Sequence, residues 1–258
     1  MKKYSVLTYN FGGFEVLHEI PQEAISEDAE YIYVTDNLQL ESKTWTVVYV
    51  NDLIGDNFSK VCQVRYNPFK YVNTDIVLKL DGNIAITGDI SKMIDTFINE
   101  NYDAAVLVHP HHKTVYEEYQ DWIERRGYSV KQSIKCMLFL NKYFDYNIFN
   151  YRGVYQTGIQ IQRKDEFNAA WNYITFDILK KLAEDEHGVE RIDQIINSVV
   201  LNQIFAYKKI MPISCEIVSG PESILSIYNH NSNDKYEWIN IQKSYMFNQE
   251  INPLNFKK

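Results

Sequence analysis

The sequence contains little of several features that define whole classes of protein. Its 258 residues include only three widely spaced cysteines, Cys62, Cys136 and Cys215. They exclude a disulfide framework and a cysteine-based zinc site, and they suit a reducing cytoplasm. No apolar run reaches the ~18 residues that a membrane-spanning helix requires, and the start, MKKYSVLTYNFGG, lacks the apolar region of a signal peptide. We therefore expect a cytoplasmic protein without an integral membrane segment.

Positive charge and common catalytic signatures are scarce too. Lysine and arginine number 26 against 34 aspartates and glutamates, which gives a net charge of −8. Such a chain lacks the basic field of a nucleic-acid-binding protein, so we expect no nucleic acid partner. The motifs G-x-x-x-x-G-K-[ST], G-x-G-x-x-G and G-x-S-x-G are absent. Their absence argues against a P-loop NTPase, a Rossmann dehydrogenase and a serine hydrolase.

Apolar patterning predicts an α/β fold. β-Rich runs alternate with stretches of helical spacing, which indicates a mostly parallel, Rossmann-like sheet in a three-layer α/β/α sandwich with a more helical C-terminal part. The predicted strands are Tyr4–Tyr9, Tyr31–Thr35, Trp45–Val50, Ile76–Leu80, Ala104–Val108, Thr157–Gln162 and Ile213–Val218. The predicted helices are Pro21–Ala29, Phe58–Tyr66, Ser91–Asn99, Thr114–Arg126, Val130–Tyr143, Glu166–Ala183 and Val189–Tyr207.

No linker rich in glycine, serine or proline divides the chain. We expect one domain over residues 1–219 and a loop-rich extension, 220–258, packed on the same domain. In a parallel sheet, ligands bind outside the C-terminal ends of the strands, where polar residues here follow three strands. They include Thr8, Asn10, Asp36 and Asp81. Each of these residue types also commonly ends a strand as a turn former, so either role is open for each residue.

The sharpest motif is Asp81-Gly82-Asn83, directly after an apolar strand. Carboxylate and amide oxygens suit Mg²⁺ or Mn²⁺, and glycine lets the backbone come close to a ligand. Asp-Gly is also a common hairpin turn, and the metal and turn interpretations are evenly balanced.

Two further segments carry chemically capable side chains. His109-Pro110-His111-His112 does not have the usual spacing of zinc ligands, and we favour a substrate-facing role for His109 over a zinc site. Asp193 and Gln194 open a predicted helix, where the helix dipole favours an acidic residue. Their role is either structural or directed into a pocket.

The order of these motifs resembles that of GT-A glycosyltransferases. It runs from the first strand through YIYVTDN, a helix with Lys60 and Arg65, and IVLKLDGNIAITGDI to TGIQIQ, a long helix with Trp171, and RIDQIIN. The pattern resembles the glycogenin and lipooligosaccharide galactosyltransferase group. It is more similar still to related bacterial and plant glycosyltransferase-like proteins that have D-G-N in place of D-x-D. The resemblance implies a GT-A type fold.

The resemblance also implies roles for matching residues. Asp81 and Asn83 match the ends of the D-x-D motif, which holds Mn²⁺ against the donor diphosphate, and His230 matches the third metal ligand. Because Asn83 replaces an aspartate, metal dependence is an open question for this chain. Asp193 and Gln194 match the pair that touches the transferred sugar, with the glutamine beneath the anomeric carbon. The implied donor-binding residues are Thr8, Tyr9, Asn10, Asp36, Arg65, Asp81, Gly82, Thr157 and Gly158, and His109 is our candidate for acceptor binding.

These roles predict a hexosyltransferase that uses Mn²⁺ or Mg²⁺ and a UDP-sugar. The expected acceptor is a glycan or a lipid-linked acceptor, with retention of configuration, in bacterial polysaccharide or lipooligosaccharide assembly. Peripheral association with the inner membrane and the oligomeric state stay open. One alternative is a non-catalytic nucleotide-sugar or glycan-binding protein on the same fold, which Asn83 keeps open. The other is a nucleotidyltransferase, which would need further carboxylates and a basic phosphate-binding loop.

Overall fold

The structure is a computed structural model that describes residues 2–144, 151, 153–184, 192–203, 207–219, 223–230 and 232–235. The strands within these residues are β1 (Tyr4–Asn10), β2 (Ala29–Thr35), β3 (Thr46–Tyr49), β4 (Ile76–Asp81), β5 (Ile84–Ile86), β6 (Ala104–Val108), β7 (Tyr155–Arg163), β8 (Ile210–Ile213) and β9 (Leu225–Ile227). The α-helices are α1 (Asn57–Arg65), α2 (Ser91–Asn99), α3 (Val115–Arg126), α4 (Val130–Tyr143), α5 (Glu166–Glu184), α6 (Asp193–Gln203) and α7 (Glu216–Ser219).

Seven strands form one sheet in the order β3-β2-β1-β4-β7-β6-β8. All neighbouring pairs are parallel except the two that involve β7, which is antiparallel to both β4 and β6. The ends of β1 and β4 lie side by side, because Tyr9 is paired with Asp81. This arrangement confirms the predicted α/β class with a mostly parallel sheet, and it places Tyr9 and Asp81 side by side at one edge.

Helices cover both faces of the sheet. Alternate residues of β4 point to opposite faces and pack in different hydrophobic clusters. Leu78 and Leu80 pack in a cluster with Ile94 of α2. Val77 faces the other way and packs with Val64 of α1. Helices α3 to α6 form a further cluster on β6. The three-layer arrangement therefore follows from the period-2 alternation of each strand.

The structure corrects three predicted elements. The strand expected over Ile213–Val218 is wrong: the observed strand β8 is Ile210–Ile213, pairing with β6 stops at Ile213, and Glu216–Ser219 is helical. The helix expected over Pro21–Ala29 is a single 3₁₀ turn, Gln22–Ala24. The described part of the Val189–Tyr207 helix is Asp193–Gln203, while 189–191 and 204–206 lie outside the described residues.

The segment after residue 220 also contains a strand that the sequence pattern does not predict. Strand β9 pairs antiparallel with β5, and Ile84 is opposite Ile227. Residues 236–258 lie outside the described part of the chain, so the proposed division at residue 219 stays a prediction. Among the described helices, none combines the length and the apolar character needed to cross a membrane.

Candidate active site

A buried arginine joins the D-G-N motif to the D-Q motif. Arg65, the last residue of α1, is 4% exposed. Its Nη2 donates to Asp81 Oδ1 at 2.6 Å, and its Nη1 donates to Asp193 Oδ2 at 2.5 Å. Asp81 ends β4 and Asp193 begins α6, so three separate elements meet at one guanidinium. The structure thus brings together three of the predicted site residues.

Two hydroxyl groups complete this network. Arg65 Nε donates to the Tyr9 hydroxyl at 2.8 Å, and that hydroxyl donates to Asp81 Oδ1 at 3.0 Å. Thr157 Oγ1 donates to Asp193 Oδ2 at 3.0 Å. Both carboxylates therefore have fixed orientations at the edge of the sheet.

Electrostatics favour the charged state of the arginine. Burial acts to lower the pKa of Arg65, but Asp81, Tyr9 and Asp193 outweigh it and raise this pKa well above its usual value. Burial also raises the pKa of the Tyr9 hydroxyl well above its usual value. Tyr9 is consequently a neutral hydrogen-bond donor, and the site contains a permanent positive charge between two carboxylates.

Two glycines allow the close packing around Asp81. A Cβ on Gly158 would lie 3.2 Å from Asp81 Oδ2, and a Cβ on Gly82 would lie 2.7 Å from the Tyr9 carbonyl oxygen. Neither position tolerates a side chain without movement of its neighbours. Gly158 therefore leaves room for the carboxylate oxygen that Arg65 does not contact.

We expect Gly158→Ala to weaken nucleotide binding in the presence of Mn²⁺ by about tenfold, because the added methyl displaces Asp81 Oδ2. Gly88→Ala is the matched control, since its Cβ would also meet a neighbour, Ile224, at 3.2 Å but away from Asp81. The measurement is a UDP titration of both variants. Equal affinities in the two variants would contradict this role of Gly158.

The turn after Asp81 holds the C-terminal segment. Asn83 Nδ2 donates to the Tyr228 carbonyl at 3.0 Å, and the Tyr228 N–H donates to the Asn83 carbonyl at 2.9 Å. His18 stacks on the Tyr228 ring at 4.0 Å between centroids. His230 follows two residues after Tyr228. The metal site predicted at Asp81, Asn83 and His230 stays a prediction.

The donor set fits a divalent cation. Asp81 and Asn83 offer oxygen ligands and His230 offers an imidazole, which is the chemistry that Mn²⁺ accepts. Gly158 provides the space beside Asp81 Oδ2 that a Cβ would fill. The Asn83 amide nitrogen is already bonded, so its oxygen is the atom left to serve as a ligand.

Other predicted donor residues have identifiable tasks. Asp36 accepts from the Gly12 N–H at 2.8 Å and from Lys60 Nζ at 2.9 Å. Burial acts to raise the pKa of Asp36, but these two bonds prevail and lower it. Thr8 is only 2% exposed and is paired with Leu80 of β4. Because it is buried, Thr8 presents no surface to a bound nucleotide-sugar.

A residue that the sequence analysis missed lies in the loop after β1. The Asn10 side chain donates to the Glu15 carbonyl at 2.7 Å and accepts from the Glu15 N–H at 3.0 Å. Asn10 thus fixes the loop, and its predicted contact with the donor stays a prediction. Glu15 Oε1 lies 2.6 Å from His230 Nδ1. An acidic residue in a loop, distant in sequence from either motif, carries no pattern that would have identified it.

His109 belongs to a buried cluster rather than to an open pocket. Its ligand atom and those of His112 and Glu118 lie within 4.8 Å of one another. However, His109 Nδ1 accepts the N–H groups of His111 and His112, at 3.2 and 2.9 Å, which places its proton on Nε2. A metal ion bound to Nε2 would require the ring proton to be on Nδ1. Nδ1 could then no longer accept the two N–H groups, and both hydrogen bonds would be lost. Burial, His112 and His111 lower the pKa of His109 to about 2. We therefore interpret the cluster as structural, and acceptor binding by His109 stays a prediction.

A buried lysine lies beneath the network. Lys79 is 0% exposed, and its Nζ donates to the Arg65 carbonyl at 3.1 Å. The same nitrogen lies 5.8 Å from the ring centroids of Tyr66 and Trp171. Burial, supported by Arg65 and opposed by Asp81, lowers the pKa of Lys79 well below its usual value.

Because the pKa of Lys79 is lowered in the folded state, we predict that the free energy of unfolding depends on pH. Between the lowered pKa in the folded state and the ordinary lysine pKa of about 10.4, the unfolded chain binds more protons, so the free energy of unfolding rises with pH. Lys79→Met removes this titration, and we expect a smaller rise between about pH 7 and about pH 9.5. Urea unfolding at both values measures it, with the exposed Lys92→Met as control. A rise in Lys79→Met as large as in the unsubstituted protein would contradict it.

Comparison with known proteins gives only general likenesses to solved structures. No family model and no curated protein matches the chain. The chain is similar to the glycosyltransferase GlyE of Streptococcus pneumoniae TIGR4, with 16% identity, a TM-score of 0.42, and coverage of 84% of this chain and 46% of that one. It is also similar to mouse xyloside xylosyltransferase 1, with 8% identity, a TM-score of 0.45, and coverage of 84% and 86%. The chain spans less than half the length of GlyE, and likenesses at this level carry no information about activity.

Proposed function

We propose that this chain is a metal-dependent glycosyltransferase that transfers a hexose from a UDP-sugar to a glycan or lipid-linked acceptor, with retention. The observation that carries this proposal is the bridge from Arg65 to Asp81 and Asp193. It joins the motif that resembles a diphosphate-metal site to the motif that resembles a sugar site. The net charge of −8 produces an overall field that repels phosphate groups. Phosphate binding therefore requires positive charge within the site itself.

In this proposal, Asp81, Asn83 and His230 hold Mn²⁺ or Mg²⁺. When bound there, the ion supplies Lewis acidity and neutralises charge on the leaving diphosphate. Arg65 and Tyr9 hold Asp81 Oδ1, so that Oδ2 is the oxygen presented to the ligand side. Asp36, which follows β2, and Lys60 of α1 contact the nucleoside end of the donor in this proposal.

Gln194 follows Asp193 in the first turn of α6. Its neutral amide oxygen suits the oxocarbenium-like sugar, because it stabilises positive charge without forming a stable bond. The acceptor hydroxyl attacks the face that the diphosphate leaves, and the departing phosphate oxygen takes the acceptor's proton. Retention follows from this geometry. Asp193, held by Arg65 and Thr157, orients the hydroxyl groups of the sugar.

A second candidate is a non-catalytic nucleotide-sugar-binding protein. It is favoured by Asn83, which supplies no negative charge and whose amide nitrogen is bonded to Tyr228. The nucleotidyltransferase alternative gains no support from the described residues around Asp81. The proposed partners are therefore a nucleotide-sugar and a glycan acceptor, and we propose the cytoplasm as the location.

Thermal-shift screening tests the nucleotide preference. UDP, GDP, CMP and their sugars are compared with and without Mn²⁺. We expect UDP compounds with Mn²⁺ to raise the melting temperature most, because a ligand at ~100 Kd adds about 2.7 kcal/mol to the free energy of unfolding. A protein that no nucleotide stabilises, with or without Mn²⁺, would contradict the proposal.

A further inference from the structure

Glu15 lies between the D-G-N turn and the C-terminal segment. Two hydrogen bonds with the Asn10 side chain fix its backbone, and its side chain is 10% exposed. Glu15 Cγ lies 3.1 Å from the position of a Cβ on Gly82. The Glu15 side chain therefore packs against the turn at Gly82, although Glu15 belongs to a different loop.

This carboxylate holds one specific nitrogen of His230. Glu15 Oε1 lies 2.6 Å from His230 Nδ1. An ionised carboxylate only accepts hydrogen bonds, so Nδ1 is the donor, and a ring whose single proton is on Nδ1 has its lone pair on Nε2. The Phe14 ring lies 5.3 Å from the His230 ring and limits its rotation. The His230 side chain is 64% exposed, and both Glu15 and Phe14 contact it.

We propose that Glu15 is a positioning residue for the metal site, which keeps His230 in the tautomer and orientation that present Nε2 to a divalent cation at Asp81 and Asn83. The inference rests on the proposed metal-dependent function. Metal-binding histidines commonly donate their second ring N–H to a carboxylate, and loss of that partner costs about 10- to 100-fold in metal affinity.

The test is a Mn²⁺ titration of the full chain at fixed pH, in the presence of UDP, followed by electron paramagnetic resonance of free Mn²⁺. We expect Glu15→Gln to bind Mn²⁺ about 10- to 100-fold more weakly than the unsubstituted protein. Glu15→Asp keeps the charge on a shorter side chain and should lose less. Glu23→Gln, at an exposed position, removes the same charge and should leave the affinity unchanged.

A double-substitution cycle separates positioning from general damage. If Glu15 acts through His230, Glu15→Gln adds no further loss of Mn²⁺ affinity to His230→Ala. Losses that multiply, or an unchanged affinity in Glu15→Gln, would overturn the inference while the metal-dependent function stands. Absence of Mn²⁺ binding by the unsubstituted protein would overturn both. Urea unfolding of each variant identifies any that fails to fold, and Glu15→Asp then provides the comparison.

Discussion

Asp81→Asn is expected to abolish the Mn²⁺-dependent part of the UDP thermal shift. Asparagine keeps the size of the side chain and an oxygen for Tyr9 and Arg65, but it removes the charge that a divalent cation requires. For a chain of this length, about 2.7 kcal/mol from UDP and Mn²⁺ corresponds to a shift of about 5 °C or more. We expect nearly all of the Mn²⁺-dependent increment to be lost.

Each variant is compared with its own melting temperature without ligand, since Asp81→Asn also changes the partner of Arg65. Asp75→Asn is the control, because Asp75 is an exposed aspartate just before the same strand. A Mn²⁺-dependent shift that survives in Asp81→Asn would remove this residue from the metal site. It would also separate the D-G-N motif from the function that the resemblance implies.

Arg65→Met is expected to lower the free energy of unfolding by about 3 kcal/mol, because removing one partner of a buried ion pair leaves the carboxylates uncompensated. The arginine side chain is 5% exposed, while Asp81 and Asp193 are 27% and 14% exposed. Arg65→Lys keeps the charge, but its donors are all on one nitrogen, whereas Arg65 contacts Tyr9, Asp193 and Asp81 from three separate nitrogens. We therefore expect an intermediate loss. Urea unfolding measures both values.

If unpaired carboxylates cause the loss in Arg65→Met, removing one of these charges should reduce that loss. Replacing Asp193 by asparagine in the Arg65→Met background should recover part of the lost free energy, because one unpaired charge is removed. Lys70→Met is the control, since its pair with Asp52 is 48% and 63% exposed and such surface pairs contribute about 0–1 kcal/mol. A loss in Arg65→Met no larger than in Lys70→Met would contradict the assigned role of Arg65.

The central strands of the main sheet were predictable because they are long and apolar. Strands such as Ile76–Asp81 stand out against the polar turns that follow them, and helices such as Ser91–Asn99 have clear periodicity. The short strands β5 and β9 have three residues each, too few for a period-2 pattern. Their pairing depends on the tertiary fold, and the same holds for the helical turn that follows Ile213.

The site was predictable only in part, for a related reason. Strand ends identify Asp81 and Asp36 by their position along the chain, and the resemblance adds Arg65 and Asp193. The contact between Arg65 and Asp193 joins residues 128 positions apart, which no local pattern encodes. Glu15 and the bonding of His109 were beyond prediction, since both depend on which loop atoms meet in the folded chain.

Proton NMR of a UDP-hexose incubated with the protein and Mn²⁺ tests the central claim most directly. A retaining glycosyltransferase releases UDP from at least one UDP-sugar and forms a product, with an acceptor or slowly with water, whose anomeric configuration matches that of the donor. We predict this result, and we predict its loss in Asp81→Asn. An inverted anomer would contradict the role of Gln194. If UDP-sugars bind but none is cleaved across a broad acceptor panel, the protein is not a glycosyltransferase.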